Sequence, residues 1–116
     1  MVEKDTLDDK LALYQALLDT HDEIILKGKT SPYTSVNGHM FSILDKEGNL
    51  GLRLPMDERI KFINQFHTKL HEAYGKVMKE YVRVPPELME NTETLKTYLV
   101  ISYNYTKNLK PKSTKR

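Results

Sequence analysis

The chain has 116 residues, 39% of them apolar and 29% charged, with a formal net charge of +2. This length suits one domain of common size, and the balance argues against a disordered or membrane-embedded chain. There is no cysteine, which excludes disulfide scaffolds, thiolate zinc sites and thiol nucleophiles together.

The opening Met1–Lys10 stretch is acid-rich and has no apolar run. It does not read as a secretory leader, so the expected compartment is the cytoplasm. Residues 107 to 116 hold five basic side chains and no acid, leaving 13 basic against 16 acidic over residues 1 to 106, a net of −3. The expected arrangement is one mildly acidic domain over residues 1–112, followed by a short basic tail over 113–116. A body of that sign is a poor general binder of phosphates, so weak nucleic-acid contact is assigned to the tail.

In chain order, Asp5 to about Leu26 reads as a helix that allows a break near Thr20–Asp22. Leu7, Leu11, Tyr14, Leu17 and Leu18 fall on one stripe, with Asp5 or Thr6 as the cap and Gly28 as the stop. Asn37-Gly38 between β-prone residues is a strong hairpin signal, because a type I′ turn needs positive φ at both central positions. It predicts strands over about 32–36 and 39–45. After a turn at Asp45–Asn49, the alternation Leu50-Gly-Leu-Arg-Leu54 predicts a third strand with its leucines on one face. Pro55 then ends the meander.

Asp57 is read as the cap of a helix over about 58–68, and residues 69–75 show no period before the turn expected at Gly75. Lys76–Val84, rich in Val and Tyr, predicts a fourth strand closed by Pro85-Pro86. Thr92 to Leu109 predicts a final helix with Leu95, Tyr98, Leu99, Ser102, Tyr103 and Thr106 near its inner face, and Leu17, Leu52 and Leu99 are expected to meet in one core. The sum is an α+β fold in two layers, an antiparallel sheet of a three-strand meander plus a later strand, packed with the N- and C-terminal helices.

The search for chemistry returns little. His67 and His71 stand four apart, a spacing that places two imidazoles on one helical face. No third ligand and no HExxH glutamate accompany them, so both are read as exposed or half-packed. Neighbouring carboxylates such as Asp8/Asp9 and Asp57/Glu58 fit helix first turns, where the dipole favours negative charge. No phosphate-cradling glycine loop or nucleophile elbow is present. Catalytic residues, metal ligands and cofactors are therefore expected to be absent.

Three stretches are distinctive: Asn37-Gly-His-Met-Phe41, Gly48-Asn-Leu-Gly-Leu-Arg-Leu54 and Tyr81-Val-Arg-Val-Pro-Pro-Glu87. With the leucine-bearing helix after them, the chain resembles the N-terminal domain of the TfoX/Sxy competence regulators over about residues 7–112. That resemblance implies a stand-alone, secretion-chaperone-like α+β domain with a regulatory role and no catalytic residues.

The expectation is a non-enzymatic interaction module that binds a protein partner or a second copy of itself. The expected surface is the first strand and its hairpin: Pro32, Tyr33, Ser35, Asn37, Gly38 and His39. Proline lacks an amide donor and sits most easily at a strand start or on a sheet rim, where strand addition can occur. The competing expectation is a ligand-binding or enzymatic pocket between the sheet and the last helix, lined by Tyr81, Tyr98 and His39.

Overall fold

A computed structural model of the chain describes residues 7–28, 32–73 and 75–110. The cap expected at Asp5 or Thr6, Tyr74 and the basic tail lie outside the described residues. The order of elements is α1 (Leu7–Leu18), β1 (Tyr33–Val36), β2 (His39–Leu44), β3 (Leu50–Arg53), α2 (Met56–Phe66), β4 (Leu70–Ala73), β5 (Lys76–Val84), α3 (Pro86–Met89) and α4 (Thr92–Lys107). The strands form one antiparallel sheet in the order β1-β2-β3-β5-β4, so the fold is α+β.

Register explains which residues build the core. Leu44, Leu50 and Val84 stand abreast across three strands, and Ser42, Leu52 and Val82 form the next rank. Leucines 50, 52 and 54 are all fully buried, as their alternation predicts. Tyr14, Leu17 and Leu18 of α1, Phe62 of α2, Leu88 and Met89 of α3, and Leu95 and Leu99 of α4 join the same cluster, so Leu17, Leu52 and Leu99 do share one core.

A bulge modifies the alternation. Thr34 pairs with Ser42 but Ser35 pairs with Met40, leaving Phe41 as the extra residue of β2. Phe41 and Ser42 therefore both reach helices: Phe41 packs its edge against Tyr103 of α4, and Ser42 meets the Tyr14 hydroxyl of α1.

Several boundaries differ from the sequence reading. Helix α1 stops at Leu18, eight residues short of Leu26, because the Thr20 hydroxyl and amide both take the Leu17 carbonyl. Helix α2 starts two residues early. Pro55 occupies the cap position in extended backbone and Asp57 falls in the first turn, where it complements the dipole without capping. His67 closes α2 in the left-handed region at φ 53, the place more often given to glycine.

Two elements were missed. Residues 70–73 form a strand, and Pro85-Pro86 opens a helical turn as well as ending β5. A proline at the first helical position has its φ preset and no amide to waste.

Candidate functional site

The strand carrying Tyr33 and Ser35 of the expected surface is at the rim of the sheet, since β1 has a neighbouring strand on one side only. Much of that rim is already occupied. Pro32 is buried and its carbonyl accepts the Leu44 amide. Tyr33 exchanges both backbone bonds with Lys27, at 2.9 and 2.8 Å, and the Lys27 ammonium donates to the Ser35 hydroxyl at 2.9 Å. By strand alternation the Ser35 backbone faces outward like that of Tyr33. The loop through Lys27 thus covers the first outward residue and leaves the second.

The hairpin tip grips the end of the last helix. Asn37 and Gly38 both have positive φ, 55° and 81°, as a type I′ turn demands. Asn37 Nδ2 donates to the Lys107 carbonyl at 2.6 Å, and His39 Nε2–H donates to the Lys110 carbonyl at 2.8 Å. The first bond satisfies a carbonyl that the helix C-terminus leaves without an intrahelical donor, and the second holds the chain just beyond it. The Asn37 and His39 side chains therefore serve the fold.

The other end of the sheet is less regular. Leu70 pairs with Val82, yet His71 pairs with Met78, so β5 runs through three residues while β4 advances by one. The break turns the β4–β5 hairpin across the sheet face opposite the helices, and β4 touches β3 although β5 separates them in the strand order. His71 fastens this crossing. Its ring is fully buried and lies flat on Gly51 of β3, where an added Cβ would come within 2.6 Å of Cδ2. A glycine inside a strand marks such close approaches.

Both nitrogens of that ring face charge. Arg83 Nε donates to His71 Nδ1 at 3.5 Å, which leaves the proton of the neutral ring on Nε2. Nε2 faces Asp45 Oδ2 at 3.9 Å, beyond hydrogen-bond reach, and has no other partner among the described residues. Asp45 Oδ1 is committed to the Glu47 and Asn49 amides, both at 2.9 Å, which fixes the carboxylate at the β2–β3 turn. Burial, and then the Arg83 guanidinium, holds the His71 pKa below its ordinary value against the opposing pull of Asp45.

Depressions flank the folded hairpin on two sides. A cavity of about 370 Å³ is lined by Asp45, Lys46, Glu47, Glu72, Ala73, Gly75 and Arg83. An open groove of about 510 Å³ lies between the β1–β2 hairpin and β5, lined by Gly38, His39, Met40, Arg53 and residues 77–81. Three of its polar side chains are tied together: Arg53 pairs with Glu80 at 2.7 Å, and Arg53 and the Tyr81 hydroxyl both donate to the Met40 carbonyl, while Lys79 stands exposed in the lining. Burial pushes the Tyr81 phenol up to about 12. Its apolar lining, from Met40, Met78 and a half-exposed Val77, stays open.

The structure thus brings Gly38 and His39 into one groove with Tyr81, whereas Pro32, Tyr33 and Ser35 stand on the rim. Tyr98 is elsewhere, packed edge-on against Phe62 and Phe66 of α2. Between the sheet and α4 lie Phe41, Leu95, Leu99 and Tyr103, all buried in the core cluster. His67 and His71 lie on different elements. His67 is exposed, but His71 is fully buried, contrary to its reading as exposed or half-packed. No group of three potential ligands capable of holding a metal occurs among the described residues.

Sequence reasoning missed Asp45, His71 and Arg83 as a set. The available signal was Gly51, the one interruption in an otherwise leucine- and arginine-bearing strand. No protein-family model, curated protein or solved structure matches the chain.

Proposed function

We propose that this chain is a non-enzymatic interaction module that binds a protein partner in the groove between the β1–β2 hairpin and β5. The observation that carries the reading is the composition of that groove. Arg53, Glu80 and Tyr81 are bonded within the groove, so beside the exposed Lys79 what it offers a partner is the flexible apolar surface of Met40, Met78 and Val77. Methionine side chains repack around varied partners at little cost, and an open apolar surface ringed by charge is typical of docking sites. The resemblance to the TfoX/Sxy N-terminal domain supports a regulatory role, because the stretches that carry it supply Gly38, His39, Met40, Arg53 and Tyr81 of the lining.

The test compares two exposed valines. Val77, half exposed in the groove, and Val100, 41% exposed on α4, are each replaced by glutamate. Both variants should keep the native circular dichroism. A partner captured from native extract and identified by mass spectrometry should be lost with Val77→Glu and retained with Val100→Glu. Equal capture by both variants would sink the groove assignment. Ser35→Pro then separates groove from rim, since it removes an outward amide without touching the groove.

A further inference from the structure

The cavity beside Asp45 differs from the groove in having uncommitted charge. Among the described residues, Arg83 has no carboxylate within ion-pair distance. Two of its five N–H groups are used, Nε toward His71 and Nη2 to the Glu72 carbonyl at 2.6 Å. These bonds orient the guanidinium and leave three donors. Lys46 adds a second cation to the lining, and Asp45, Glu47 and Glu72 supply the opposite sign.

We propose that this cavity binds a small zwitterion, a molecule with a carboxylate and a primary ammonium a few bonds apart, such as a free amino acid. The guanidinium fork matches a carboxylate in two parallel bonds. A simple anion placed there meets three carboxylates, and a simple cation meets Arg83 and Lys46. A zwitterion with its carboxylate on Arg83 and its ammonium toward Glu47 and Glu72 answers both signs.

The second observation is the His71 donor. Nε2–H is a fully buried group without an acceptor, and such groups are rare in finished structures. Its nearest acceptor, Asp45 Oδ2, belongs to the cavity wall and is short of bonding distance by about 1 Å. A ligand drawing the Asp45–Glu47 turn toward Arg83 closes that gap and completes the bond.

The inference is independent of the groove reading, and its test uses the whole chain. Each common amino acid in turn is titrated into ¹⁵N-labelled protein, with acetate, methylammonium and inorganic phosphate as single-charge probes. At least one amino acid should give saturable shifts at residues 45–47, 71–73 and 83, together with a slowed exchange of the His71 Nε2 proton. Its Kd should be at least tenfold below those of all three single-charge probes. Arg83→Lys, which keeps the charge and loses the fork, should raise that Kd at least tenfold. Should Arg83→Lys not fold, Glu72→Gln at an exposed side chain should raise it at least threefold. The proposal is overturned by an amino-acid panel that leaves these amides unmoved, or by phosphate binding as tightly as the best amino acid. Unchanged affinity in both variants overturns it too.

Discussion

The two faces of this sheet each bury a polar cluster, and the clusters are built on opposite terms. On the helix-covered face, the Tyr14 hydroxyl meets Ser42 Oγ at 2.5 Å, and Ser42 Oγ meets Thr34 Oγ1 at 2.5 Å. That chain of hydroxyls links α1, β2 and β1, and each oxygen in it has a partner. On the hairpin-covered face, the Asp45–His71–Arg83 set leaves a buried N–H without an acceptor beside a cavity. Closed networks rigidify a core, whereas a network left open by one bond has room to respond to something else. Burial of polar groups is therefore not by itself a sign of function, and the open cluster stands out because its unmet donor lies beside a cavity, unlike the equally unmet Thr106 hydroxyl on α4.

The sharpest way to break the open cluster is from beneath. Gly51→Ala places a methyl against the buried His71 ring, and overpacking of this kind costs about 1–3 kcal/mol. Urea unfolding should show that loss, and a large part of it should disappear when His71 is also replaced by alanine. A full loss retained in the double variant would place the strain in the β3 backbone, and the hairpin would not be held by the ring.

A smaller effect is expected from the closed cluster. Tyr14→Phe removes one hydroxyl but leaves Ser42 and Thr34 bonded to each other, so the loss should be about 0.5–1.5 kcal/mol by the same measurement. A larger cost would mean that the chain of hydroxyls is coupled more tightly than its pairwise bonds.

The smallest effect is one of pH, and it reaches only the open cluster. Burial holds the His71 pKa below 6.5, so between the folded and unfolded values the unfolded chain carries more protons. Stability from this group is fully present above about 6.5 and is lost as pH falls through that value toward the folded pKa. Tyr14, whose phenol burial pushes upward, contributes nothing in that window. Wild type should lose stability between pH 7.5 and 5.5 relative to His71→Gln, while Tyr14→Phe should show the wild-type slope. Parallel profiles for wild type and His71→Gln would show that the ring titrates as it does in the unfolded chain.

What was legible in the residues follows a physical divide. The helix-face ranks of β3, the Asn37-Gly38 turn and the inner face of α4 were readable because each depends on local geometry. Period-two alternation, positive φ and the 3.6-residue repeat are written into adjacent side chains. The rim position of β1 was also legible, through Pro32, although its partial cover by Lys27 was not. The candidate site was mostly illegible. Asp45 looked like an ordinary turn residue, Arg83 like one more residue of the strand over 76–84, and His71 like an exposed or half-packed histidine in a stretch without period.

The reason is distance along the chain. Asp45, Gly51, His71 and Arg83 come from four segments, and no window of sequence contains their relation. Alternation and turn chemistry determined by themselves that this chain makes an antiparallel sheet with helices against its leucine face. Only the tertiary structure decided the second face, through the Leu70/His71 register break that swings the hairpin across it. A strand's side-chain period is local, but a shift in its register is set by what the whole hairpin can bury. Here that was an imidazole ring laid on a glycine two strands away.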